Sequence, residues 1–137
     1  MSSVKQINFE AIDVGDPEIL SAAVDLTVLA SYEQLQLAGE PDLVVALIDL
    51  YREDAPRRTS IMRESLVEGN WPAMKWEAHS LRGSSGHLGA IQMVLICDQI
   101  EATESGVSNM EALLSRLELE LQLVLRIFAA ERRRRSR

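Results

Sequence analysis

The stretch Ala78 to Ala90, AHSLRGSSGHLGA, places a histidine three residues before an arginine and four before a glycine. Residues three and four apart are neighbours on a helix surface, so a helix brings the His79 imidazole, the Arg82 guanidinium and the bare backbone of Gly83 to one spot. On a wheel of about 100° per residue, Lys75, Arg82, Gly83 and Gly86 all fall within about 60° of His79, while Leu81 and Leu88 lie nearly opposite and point at a core. His79 is then expected to face solvent. A neutral imidazole nitrogen is a competent phosphoryl acceptor, and Arg82 and Lys75 are placed to stabilise the charge on the incoming phosphoryl oxygens. Glycine costs roughly 0.5–1 kcal/mol in a helix interior. Gly83 and Gly86 on the reactive face have a compensating use if a partner's active site must close over the histidine. Trp76, at the edge of the same face, is a candidate partner contact, with half-buried packing as the competing role.

Taken singly, a surface histidine or a glycine near a helix end is ordinary; the specificity lies in the whole string. His87 lacks a cation and a glycine at matching offsets and reads as a surface residue. A metal site on His79 and His87 is disfavoured, because a spacing of eight puts them about 80° apart and no further ligand accompanies them. GxxxxGK is absent, as are the glycine-rich boxes of a kinase ATP pocket, so autophosphorylation from ATP is not expected.

The elements that must position this string are helical. The chain has 137 residues, enough for one domain with one core. It is 47% hydrophobic and 26% charged, with seven glycines and four prolines, a composition of folded domains rather than disordered ones. Leu, Ala, Glu, Gln, Met and Arg dominate and β-branched residues do not alternate, which favours an all-α protein. Residues 1–24 read as a partly irregular arm with breakers at Gly15 and Pro17, covering part of the core through Phe9, Ile12 and Ile19. From Asp25, a plausible N-cap, Leu26, Leu29, Tyr32 or Glu33, and Leu35 keep helical spacing up to Gly39. A long helix from about Pro41 carries Leu43, Val44, Leu47, Ile48, Tyr51, Ile61, Met62 and Leu66, with a kink or break predicted near Asp54 because of Pro56. Gly69 closes it, Asn70 caps the next helix, and Pro72 fits that helix's first turn.

The helix bearing His79 is predicted to end near Gly89. A further helix runs from about Ala90 to Ser105 on Val94, Leu95, Cys97 or Asp98, and Ile100 or Glu101. The last starts at a capping box, Ser108 to Glu111, and presents Leu113, Leu114, Leu117, Leu121, Val124, Leu125 and Phe128. Short connections make an antiparallel up-down four-helix bundle the most economical packing, with the Asp25–Ala38 helix as an additional N-terminal element capping one end or side. The bundle is expected over 25–131, followed by a basic tail, 132–137.

The net charge of −7 conceals an asymmetry: five of the 14 basic residues lie between Arg132 and Arg137, leaving nine against 21 acidic residues in the body. An acidic body argues against nucleic-acid binding by the folded part; the tail could touch an acidic partner, a nucleic acid or a membrane surface, and reads first as a solvated terminus or a stub where a longer chain was cut. No run is apolar for the roughly 18–20 residues that span a bilayer and no signal-peptide pattern opens the chain, so a cytoplasmic location is the default expectation. The single cysteine, Cys97, reads as a buried structural thiol.

These residues resemble the histidine-containing phosphotransfer (HPt) domain family of two-component phosphorelays. The family pattern is His, an apolar residue, Lys or Arg, Gly, Ser, a small residue, then Leu-Gly. His79, Leu81, Arg82, Gly83, Ser84, Ser85, Leu88 and Gly89 match it in register. LIDLYREDAPRR, Leu47 to Arg58, looks like the family's second-helix segment, and the resemblance covers about Asp25 to Ala130. It implies a four-helix bundle in which His79 takes a phosphoryl group on its outward ring nitrogen from a receiver-domain aspartate and passes it to another. Arg82 would replace the commoner lysine, and Glu101 would occupy the place of a polar residue that hydrogen-bonds the inner nitrogen. The implied partners are response-regulator receiver domains and a sensor or hybrid histidine kinase, with the chain itself a monomer. No cofactor is expected on this chain, Mg²⁺ belonging to the receiver. Met1 favours a free-standing protein over the end of a hybrid kinase. Glu77, about 160° from His79, departs from the family's apolar or small residue and is expected to snorkel, pair with an arginine, or mark an open part of the bundle. The competing function is a receiver-binding scaffold that signals without phosphotransfer.

Overall fold

A computed structural model describes residues 11–104 and 107–136, the side chains of 107 and 108 excepted. All of the regular structure in these residues is helical: α1 (Pro17–Ala23), α2 (Leu26–Ser31) leading into a 3₁₀ turn (Tyr32–Leu35), α3 (Leu43–Glu68), α4 (Trp71–His87), α5 (Ile91–Ala102) and α6 (Val107–Arg135). Helices α3 to α6 pack in a closed ring, each against its chain neighbour and α6 back against α3. This is the expected four-helix bundle, with α1, α2 and the 3₁₀ turn laid outside it.

Each long helix buries one stripe. Val44, Ile48, Tyr51, Ala55, Met62 and Leu66 face inward from α3, and Leu114, Leu117, Leu121, Val124 and Phe128 from α6, in steps of three, four or seven. Tyr51 meets Phe128 edge to face, with ring centroids 5.5 Å apart, and shares a 2.7 Å hydrogen bond with the buried Ser85 hydroxyl of α4. Pro56 does not break α3. Of the two outcomes expected near Asp54, one long kinked helix being favoured over a break, the break does not occur: the helix continues because Ala55 and Thr59 beside the proline are buried against the bundle, so packing offsets the lost backbone hydrogen bond.

The caps follow side-chain chemistry. The Asp25 carboxylate accepts from Thr27 N and opens α2, Asp42 opens α3, and Asn70 opens α4 by accepting from Ala73 N. Gly69 ends α3 in the left-handed region. Residues 11–16 carry no sustained helix, and Pro17 starts one rather than breaking it: Asp16 caps α1 and Pro17 occupies its first turn. Two further expectations need correction. The α2 helix stops at Ser31, and Leu35, expected on its buried face, is exposed. In α5 the buried stripe is Met93, Ile96, Cys97 and Ile100, leaving Leu95 exposed. Phe9 lies outside the described residues, as does the Ser108 side chain of the predicted capping box; α6 has already begun at Val107. Burial pushes the Cys97 thiol up to about 12, so this cysteine is a packing residue, not a nucleophile.

Arg132 to Arg135, expected as part of a solvated tail, instead form the last turn of α6. Arg132 grips both oxygens of Asp49 on α3, at 2.7 and 3.1 Å. Arg135 reaches Glu33 at 2.7 Å and Glu131 at 2.9 Å. Cations at a helix C-terminus also complement its dipole.

At the opposite flank, Glu120 of α6 lines a cavity of about 280 Å³ with Ile12, Ile19, Ala23, Gln92 and Leu123. Its Oε2 is buried with no hydrogen-bond partner among the described residues, and burial raises the carboxyl to about 7. A carboxyl whose folded value lies above its unfolded one keeps more protons in the native state, so stability falls as pH rises through that window. Glu120→Gln should therefore raise Tm at pH 8 and leave it nearly unchanged at pH 4, measured by thermal melts across pH.

Candidate functional site

Helix α4 exposes one face and buries the other. Met74, Ala78, Leu81 and Ser85 are buried, which turns His79 outward, its side chain 63% exposed. Arg82, Gly83 and Gly86 are exposed on the same face and Lys75 is half-buried. Trp76 is 66% exposed, which settles its position in favour of the surface. His87 is exposed, and its carbonyl accepts a 2.8 Å hydrogen bond from the Tyr32 hydroxyl. A groove of about 290 Å³ between α3 and α4 is lined by His87, not by His79. The imidazole thus stands on an open helix face.

Helix α5 runs antiparallel beside that face and sets 101 against 79, 98 against 82 and 94 against 86. Glu101 Oε1 lies 2.7 Å from His79 Nδ1. A carboxylate offers only lone pairs, so it holds the ring proton on Nδ1 and leaves Nε2, the outer nitrogen, with a free lone pair. One turn away Arg82 Nε forms an ion pair with Asp98 Oδ1. Lys75 makes no ion pair among the described residues. Asp98 was read only as an alternative position in the α5 stripe. The signal that could have found it is its three-residue spacing from Glu101, which mirrors that of His79 and Arg82.

Neither exposed glycine is required by packing. A Cβ on Gly83 would meet nothing within 4 Å, and one on Gly86 would make ordinary contact with Val94 at 3.7 Å. Gly89 is different. At φ +75° it carries the chain out of α4, and a Cβ there would lie 2.5 Å from the Asp25 carbonyl oxygen, while its own carbonyl accepts from Asp25 N at 2.8 Å. The sequence predicts the helix end at this glycine; the close docking of α2 is new. Glu77 is buried and pairs with Arg58 of α3 at 2.8 Å, which also binds Asp54 at 2.7 Å. Of the roles considered for Glu77, pairing with an arginine is the one the fold uses.

Residues 46–127 match the Hpt domain. The chain belongs to the Hpt domain family. The crystal structure of histidine-containing phosphotransfer protein B (HptB) from Pseudomonas aeruginosa PAO1 aligns with this Hpt protein at a TM-score of 0.75 and 27% identity, over 82% of this chain and 96% of that one. No curated protein matches it. Among its described residues, no group of three or more His, Cys, Asp or Glu side chains is placed to hold a metal ion, and no helix is long and apolar enough to cross a membrane.

Proposed function

We propose that this Hpt domain accepts a phosphoryl group on His79 Nε2 from a receiver-domain aspartate and passes it to the aspartate of another receiver. The observation that carries this reading is the exposed imidazole whose inner nitrogen is held by Glu101 at 2.7 Å. The Nε2 lone pair attacks phosphorus, the Nε2–P bond forms as the acyl phosphate P–O bond breaks, and the aspartate leaves as a carboxylate. The proton on Nδ1 stays where it is, so the ring becomes cationic and Glu101 faces that charge. Lys75 and Arg82, one turn to either side of His79 on α4, would neutralise the phosphoryl oxygens. With His79 exposed on an open helix face, a receiver would supply the catalytic carboxylates and Mg²⁺, and a sensor or hybrid histidine kinase would stand upstream.

Incubating the chain with a phosphorylated receiver and Mg²⁺, then locating the modified residue by mass spectrometry at alkaline pH, tests the reading. Label on His79 is the expected result, and label confined to another residue overturns it. Binding without any label would make the chain a receiver-binding scaffold.

The open space at Gly83 supports the same reading. Alanine there should stabilise the fold by about 0.5–1 kcal/mol, the ordinary gain at a helix interior, yet slow transfer from the receiver. Urea melts and transfer rates measured on one preparation would show these two effects moving in opposite directions.

A further inference from the structure

Two rungs connect α4 to α5 on the reactive face, and they do different things to an incoming phosphoryl group. The His79–Glu101 rung engages the nitrogen that takes no part in bond formation, so it survives transfer. The Arg82–Asp98 rung engages the guanidinium that the phosphoryl oxygens would need. Both of its side chains are nearly half exposed, at 45% and 44%, so the guanidinium is tethered at the surface and open to exchange.

We propose that Asp98 is a positioning residue that sets how tightly His79 holds a phosphoryl group, by competing for Arg82. This deepens the phosphoacceptor reading and rests on it. In the unloaded protein Asp98 neutralises Arg82. When the Nε2–P bond forms and the receiver's carboxylate departs, a doubly charged group appears beside the same cation, and Asp98 must yield Arg82 wholly or in part. The ion pair that Asp98 made with Arg82 is then weakened or lost. Loading is thereby penalised relative to the empty state. Asp98 makes no bond to phosphorus and moves no proton. Lys75, with no ion pair among the described residues, supplies the cation that costs nothing to recruit. The result is a histidine that takes the group up yet gives it away readily.

The test is the equilibrium distribution of label between His79 and the aspartate of a receiver that labels the wild-type chain, measured on the full chain with Mg²⁺. Asp98→Asn should shift it toward His79 by about two- to fivefold, the change corresponding to about 0.4–1 kcal/mol for an exposed ion pair. The shift should shrink in 0.5 M salt, where the Debye length is only a few ångströms, and largely vanish in an Arg82→Gln background. Asp98→Ser should reproduce it, and melting curves of each variant check folding. An unchanged distribution, a shift toward the receiver, or a shift that persists undiminished without Arg82 overturns the proposal while leaving His79 as acceptor. Wild-type chain that takes no label on His79 brings down both readings.

Discussion

His79→Gln should abolish labelling from a phosphorylated receiver, a loss of at least about 100-fold, while leaving the fold intact. The reacting lone pair belongs to Nε2, and no other group on the open face replaces it: Arg82 and Lys75 are cations, and an amide nitrogen has no available lone pair. Glutamine keeps nearly the same length and can still donate to Glu101. With the imidazole 63% exposed, its replacement creates no cavity, and Tm should move by only a degree or two. Phosphotransfer gels beside thermal melts give both readouts. Label surviving at wild-type level would place the acceptor elsewhere.

Gly89→Ala should cause a large loss of stability, about 3 kcal/mol or more. Two costs combine there. A residue with a Cβ pays roughly 1–2 kcal/mol in the left-handed region, and that Cβ would sit 2.5 Å from the Asp25 carbonyl oxygen and 3.1 Å from Val28 Cβ. Relief requires α2 to lift away, which would break the Asp25 to Gly89 hydrogen bond and expose the fully buried Leu29. Gly39→Ala separates the terms. Its φ is +83° but nothing lies within 4 Å, so it should lose only the conformational part. Urea midpoints for the two variants provide the comparison; equal losses would show that the close approach contributes nothing.

Much of this was legible because helices announce themselves locally. Asp25, Asn70 and Gly69 were readable as caps since a cap depends on two or three adjacent residues. The outward turn of His79 followed from the positions of Leu81 and Leu88 on the same wheel. What a wheel cannot give is the partner across a helix interface. Arg82 with Asp98 and Arg58 with Glu77 depend on which helices become neighbours and in what register, which the bundle as a whole decides. Glu101 was anticipated only through the family resemblance. The Arg132 run was misread for a similar reason. Four arginines in succession look like a solvated end until Asp49, Glu33 and Glu131 converge on three of them from α3, the 3₁₀ turn and α6 itself. At the other end, Asp16-Pro17 carries both a cap and a favourable first-turn residue, and reading the proline as a breaker concealed α1.

The anchoring of Arg132 and Arg135 has a consequence for how this module travels. The segment shared with the family spans 46–127, yet one clasp fastening α3 lies beyond its end and the α2 strap seated on Gly89 lies before its beginning. Grafting the reactive helix and its neighbours into a chimera at the family boundaries would leave Asp49 without the two-point grip of Arg132 and would uncover the surface that α2 protects. A transplant that keeps both margins carries its own fastenings, and the new host need not supply them.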